Sequence, residues 1–333
     1  MLLAVPGFVG SALDPLVGAA GDTRFRRTVI TVGGATFGGA VALAAGAPGF
    51  WALLVALVVA NPASGAFVSL AQATLMDLAP AERERNMARW TLAGSFGYVG
   101  GPLLVAGALW LGMGWRAALL GLAVAFVPLV LAAGRTPRIG AQEPKPLVAS
   151  IRDALAALRR SEVLRWLATL EAADLMLDAF HGFLALYLVD VARLDPRAAA
   201  IGVAVWTGTG LVGDWLLLHV LRRIDGLRYL RLSALASLAL YPAFLVAPST
   251  ALKLGLVAVL GLLNSGWYAI PKARLYASLP GESGAAVAVG GIAGLAGSTV
   301  PLVLGLVAES VGLGPTMWIL LLAPVVLFAA ARR

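Results

Sequence analysis

Runs of about twenty apolar residues recur from one end of the chain to the other, and no other property limits its fold so sharply. A stretch of roughly 18 or more apolar residues is long enough to cross a bilayer as a helix. Eleven such spans can be read, at about 1–20, 28–47, 50–76, 91–111, 116–134, 163–189, 197–221, 229–247, 251–271, 285–309 and 315–331. Only 13% of the 333 residues are charged, against about a quarter in a soluble domain. An outer-membrane barrel would show alternating segments of ~10 residues, and none occurs. The chain therefore reads as an all-α polytopic membrane protein whose solvent is the lipid bilayer. Its 39 glycines suit helices that pack in lipid through small residues. With no cysteine, disulfides, thiol nucleophiles and thiolate metal sites are excluded.

The basic residues are distributed unevenly between alternate loops. One side collects Arg24, Arg26 and Arg27, then Arg83, Arg85 and Arg89, the central loop, the arginines at 222–231, Lys272 and Arg274, and Arg332 with Arg333. With Arg165, just past the central loop, that side holds 21 Lys and Arg, and the other holds only Arg116, Arg193, Arg197 and Lys253. By the positive-inside rule the 21-residue side and the C-terminus are cytoplasmic. The formal charge of +8 is thus an orientation signal, and no nucleic-acid partner is expected.

The chain also repeats itself. Residues 70–120 laid over 270–320 match at thirteen of 51 positions without a gap, including Pro80/Pro280, Glu82/Glu282, Gly94/Gly294 and Gly97/Gly297. The same offset places Asp14 over Asp214. The predicted organisation is an N-terminal half at 1–134, a central loop at 135–162 and a C-terminal half at 163–333. The span at 163–189 has no partner in the first half, so the first half is expected to lack its first helix. A signal peptide at 1–20 would need a basic leader, which is absent. Within the central loop, Leu147, Ile151, Leu155 and Leu158 fall on one helical face and Arg152, Arg159 and Arg160 on another. That pattern suits a helix lying on an anionic leaflet.

Two pseudo-equivalent six-helix halves joined by a long cytoplasmic loop resemble the major facilitator superfamily of secondary transporters. The most specific match is "GAAGDTRFRR", where Gly18, Asp22, Arg26 and Arg27 fit that family's first cytoplasmic loop signature. Thr23 stands for a basic residue and Phe25 for a glycine, which are departures. The resemblance implies a loop that latches one alternating state. "DLAPAERERNMARW" looks like the family's loop after its fourth helix. "GYVGGP", with Gly97, Gly101 and Pro102, resembles an antiporter helix-packing motif, although Val105 and Ala106 replace the glycine pair that follows it. Asn61 stands where antiporters of the family carry an arginine, against a typical multidrug antiporter.

The span at 163–189 carries Glu171, Asp174, Asp178 and His181. At 100° per residue they occupy one stripe about 80° wide. Three acids near mid-bilayer cost ~8 kcal/mol on the insertion scale, against ~4–7 returned by the span's own large apolar residues. The stripe is therefore expected to face a cavity, as the resemblance also implies, and to serve proton coupling together with Asp14 and Asp214. A stripe satisfied structurally by polar neighbours is the alternative. Candidate cavity residues are Asn61, Ser64 and Gln72, with Asn264, Trp267 and Tyr268 as counterparts in the second half. Acidic and aromatic side chains without a mid-span cation lean towards a cationic or neutral amphiphile.

The sequence thus predicts a proton-coupled secondary transporter working by alternating access and exporting a small organic or drug-like molecule. The alternatives are a sugar or metabolite importer of the same fold and a non-transporting membrane fragment. A monomer in the cell's inner (plasma) membrane is expected. No enzymatic activity, cofactor or metal is expected, since two histidines and no metal-ligand spacing leave no candidate catalytic site.

Overall fold

The computed structural model describes residues 4–135, 147–280 and 282–332, and among these it is helical with no strand. The chain runs α1 (Ala4–Gly21), α2 (Arg26–Gly46), α3 (Phe50–Leu78), α4 (Pro80–Trp110), α5 (Gly114–Ala133) and α6 (Leu147–Ala157). It continues with α7 (Ser161–Val191), α8 (Pro196–Val220), α9 (Gly226–Val246), α10 (Thr250–Leu263), α11 (Ala269–Ala277), α12 (Ser283–Val311) and α13 (Leu313–Ala330). Nine of these described helices are long and apolar enough to cross a membrane. The other two expected spans are also helical. Thr250–Leu263 is apolar but shorter, and Ala4–Gly21 carries Asp14, two prolines and four glycines.

The 200-residue offset recurs in the local backbone. α2 ends at Gly46 and α9 at Val246, while α3 begins at Phe50 and α10 at Thr250. Gly112 and Gly312, at φ +73° and +89°, both turn the chain in the left-handed region that glycine alone enters freely.

Internal contacts group the residues into two compact units: Met1–Ala81 with Gly100–Val163 and Tyr276–Ser298, and Glu82–Val99 with Leu164–Leu275 and Thr299–Arg333. In the first unit α1 packs along the first half of α12 and against α3, while α2 packs on α3 and α5. Its buried residues are mostly alanines, among them Ala40, Ala44, Ala56, Ala60, Ala63 and Ala66, as expected where helices in lipid approach through small side chains. Helix α6 rests on α1 and α12 through Ala154 and Ala157, leaving Leu155 exposed. Its protein-facing side is therefore the alanine face. The expected loop around 136–146 lies outside the described residues.

The second unit has an aromatic core. Phe180 meets Trp206, Tyr241 and Phe244 edge-on at 4.8, 5.6 and 5.6 Å between ring centroids, the geometry that aromatic quadrupoles favour. Lys253 is buried beside this core, and among the described residues no carboxylate pairs with it. Its ammonium donates to the carbonyls of Phe244 and Leu245 at 2.9 and 3.2 Å, at the negative end of α9 where a cation is stabilised.

Candidate functional site

Within the second unit, α4, α7, α8 and the segment after α10 enclose a cavity of about 410 Å³, within the ~300–1,000 Å³ of small-molecule sites. Helix α7 supplies Asp174, Asp178 and His181, and α8 supplies Asp214 and Trp206. A π-turn at Leu175–Ala179 interrupts α7 beside these acids. Such turns insert one residue into the helical register and collect at functional sites. Helix α10 stops at Leu263, and Gly266 at φ +85° carries the chain into α11. That break inside the expected span turns Asn264 and Tyr268 onto the cavity. Irregular backbone at membrane depth is tolerated where it lines a cavity.

Asp214 is 6% exposed. Ser95 Oγ donates to its Oδ2 at 2.5 Å. Asn264 is 2% exposed, and neither its amide nitrogen nor its amide oxygen has a hydrogen-bond partner. Among the described residues no Lys or Arg lines the cavity. Lys272 acts electrostatically on Glu171 and Asp174, and His181 on Asp178.

Other expected site residues lie elsewhere. Glu171 is outside the cavity lining, and Trp267 is fully buried with its indole N–H donating to Ser233 Oγ at 3.0 Å. In the first unit, Gln72 accepts from Tyr276 at 3.2 Å, the Asn61 side chain sits against Gly10, and Ser64 is half-buried just before the π-turn at Gly65–Ser69. Asp14 nests against Gly65 and Gly291. Its counterpart Asp214 stands by Ser95 and Ser265, so positions 65 and 265 flank equivalent acids. Gly97 and Gly101, ahead of Pro102, have no atom within 4 Å of where a Cβ would sit. That part of α4 is largely exposed.

The loop "GAAGDTRFRR" builds a second cluster within the first unit. Gly18 faces the backbone of Gly284 so closely that a side chain would collide with it. Asp22 accepts from the Gly284 and Ala285 N–H groups at 2.8 and 3.0 Å, capping the positive end of α12. Burial pushes the Asp22 carboxyl above the usual carboxylate range, against the pull of the Gly284 N–H and of Arg26. Arg26 spans the cluster, donating to Asp77 at 2.6 Å and to Ser283 at 2.7 Å and pairing with Asp22 at 3.4 Å. Ser283 also donates to Asp77 at 2.6 Å. Arg27 lies outside this cluster, and its carbonyl accepts from Thr31.

Sequence reasoning missed Ser283 and Gly284, which only the fold brings to Asp22. It also missed a charged cluster in the second unit, where Arg274 pairs with Glu84 at 2.7 Å and with Asp225 at 3.3 Å. The repeat held a signal for both, since Glu84 and Gly284 stand at equivalent positions. Ser95 and Tyr98 were missed for want of any pattern beyond a polar residue in an apolar run.

No curated protein matches the sequence. Solved structures do. The chain is similar to FucP, the E. coli fucose:proton symporter, solved in an outward conformation, with a TM-score of 0.77, 18% identity, and coverage of 99% of this chain and 88% of that one. The human organic anion transporter TETRAN gives 0.70 at 19% identity, covering 98% and 83%. The proton:xylose symporter XylE gives 0.67 at 14% identity, covering 98% and 83%. These identities speak for the fold. The family profile of the Major Facilitator Superfamily matches residues 1–300, and the chain belongs to that superfamily of membrane transporters.

Proposed function

We propose that this transporter is proton-coupled, works by alternating access and exports a small organic molecule. The observation that carries this reading is the cavity of the second unit, where Asp174, Asp178 and Asp214 share one space of about 410 Å³ with His181 inside apolar helices. Carboxylates at membrane depth are costly and mark ion or substrate paths. An imidazole nearby is the side chain best suited to exchange protons near neutral pH. Asp178 and His181, one turn apart on α7, are the proton-carrying pair. The Asp22–Arg26–Asp77–Ser283 cluster is the latch of one alternating state.

The two halves, 1–134 and 163–333, act as pseudo-symmetric bundles joined by a cytoplasmic connection. The protein works as a monomer in the inner membrane with its C-terminus in the cytoplasm, following the 21-to-4 distribution of basic residues. A second reading, sugar import with protons, draws on the likeness to FucP and XylE, which are proton symporters. The decisive experiment is substrate-dependent proton movement in proteoliposomes. Export predicts that substrate added on the cytoplasmic face drives protons the opposite way. Co-movement in the same direction would favour the symporter, and substrate flux indifferent to a pH gradient would refute coupling.

A further inference from the structure

The three cavity acids are not equivalent. Asp174 lies in the field of Lys272, and Asp178 in that of His181. Asp214 has neither: its partners are the hydroxyls of Ser95 and Ser265, and the Tyr229 phenol is the other titratable group that feels it. A carboxyl group 6% exposed and met by neutral hydroxyls alone has no cation of the protein's own to pair with its ionised form, so a cationic ligand would complete it. The unpartnered amide of Asn264 lines the same cavity next to Ser265. A buried amide without hydrogen bonds costs stability unless a ligand supplies them. Trp206 and Tyr268 add aromatic walls, whose faces attract cations.

We propose that this cavity takes a small arylalkylamine in its protonated form, with the ammonium donating to Asp214 and to the Asn264 carbonyl oxygen while Trp206 and Tyr268 pack against the ring. The assignment rests on the transport reading above and narrows its cargo to a monovalent organic cation. An organic anion is rejected because it would meet three carboxylates and no lining Lys or Arg.

The test uses three ligands with one indole ring and different tails: tryptamine (cation), tryptophol (neutral) and indole-3-propionate (anion). Binding to the purified full chain in detergent is measured by equilibrium dialysis near neutral pH. Tryptamine is expected to bind saturably and at least about tenfold tighter than tryptophol, a factor worth about 1.4 kcal/mol. Indole-3-propionate is expected not to bind. Asp214→Asn is expected to erase the preference for tryptamine over tryptophol. Asn264→Ala is expected to weaken tryptamine severalfold, but not its N,N,N-trimethyl derivative, whose ammonium has no N–H to donate. Equal or tighter binding of the anion overturns the proposal. So does no tryptamine binding at millimolar concentration, or an Asp214→Asn protein of unchanged melting temperature that keeps the preference. If that variant does not fold, the three ligands on the unaltered protein still decide. Cation-selective binding without tryptamine-dependent proton movement would refute the coupling and leave this site standing. Proton-coupled transport of other cargo by a protein that ignores tryptamine would refute this site alone.

Discussion

Arg26 and Asp77, 51 residues apart, meet at 2.6 Å with side chains only 13% and 20% exposed. The guanidinium reaches Asp22 and Ser283 in the same step, which a single ammonium could not reproduce. Removing one partner of a half-buried pair leaves the others uncompensated and costs ~3 kcal/mol or more. Arg26→Ala is therefore expected to lower the melting temperature in detergent by several degrees and to slow transport. Arg26→Lys is expected to recover less than half of either. Full recovery by lysine would mean that net charge alone, and not the fork geometry, holds the cluster.

Glycine positions within one family motif set are expected to respond in opposite ways. A Cβ at Gly18 would come 2.7 Å from the Ala288 nitrogen and closer still to the Gly284 carbonyl, both rigid helix backbone. Gly18→Ala must force α1 and α12 apart, at a cost of ~1–3 kcal/mol. Gly97 has open space around it, and alanine is favoured over glycine in a helix by ~1 kcal/mol. Gly97→Ala is expected to hold or raise the melting temperature while Gly18→Ala lowers it. The reverse order would place the tight contact at "GYVGGP" after all.

Asp22 makes the stability pH-dependent. Its folded-state pKa lies above the ordinary value of 3.8 because burial disfavours the charged form. Its contribution to stability is therefore complete below 3.8 and is lost as the pH rises through the higher folded-state value. Asp22→Asn cannot ionise. The melting temperature of the wild type minus that of Asp22→Asn is expected to fall as the pH is raised from about 4 to about 8. A difference that grows with pH would mean that the Gly284 and Ala285 N–H groups and Arg26 outweigh burial.

Much of this was legible from the amino acids. Apolar length placed the eleven spans, because a bilayer leaves a backbone few alternatives, but it did not show the break between α10 and α11. The offset that joins Asp14 to Asp214 also anticipated the matching turn glycines, Gly112 and Gly312. The stripe of acids on α7 pointed at the cavity, since its cost in lipid exceeds what the span returns. Trp267 was misplaced because an indole at membrane depth serves equally as wall or as core, and only Ser233 across the unit decides which. Ser95 could not be found, since its meaning depends on Asp214, 119 residues away. That α6 meets α1 and α12 through Ala154 and Ala157 could not be read beforehand, because an alanine face carries no amphipathic signal.

The pair Arg274–Glu84 gives a prediction of smaller size. The side chains are 33% and 23% exposed, so solvent screens part of their attraction. Arg274→Ala is expected to cost about 1–2 kcal/mol, less than Arg26→Ala, and the ranking can be read from melting temperatures alone. An equal or larger loss would make this second cluster the stronger of the two.

Asp178 is the sharpest test of proton coupling. It lines the cavity one turn from His181 and lies within the π-turn at Leu175–Ala179. Its electrostatic partner is that imidazole, so a proton can pass between the two groups without either being left as an isolated charge. Asp214, by contrast, is fixed by Ser95 and Ser265, and Asp174 shares its field with Lys272. Asp178→Asn keeps the size and polarity of the side chain and removes its ionisation. The variant is expected to express and melt like the wild type. In proteoliposomes it is expected to lose accumulation of substrate driven by a pH gradient, a drop of tenfold or more on the scale of lost acid–base groups. Exchange of labelled for unlabelled substrate, which needs no net proton movement, is expected to persist. If the variant accumulates substrate against its gradient at the wild-type rate, Asp178 is a structural member of the stripe, and Asp174 and then Asp14 become the residues to replace.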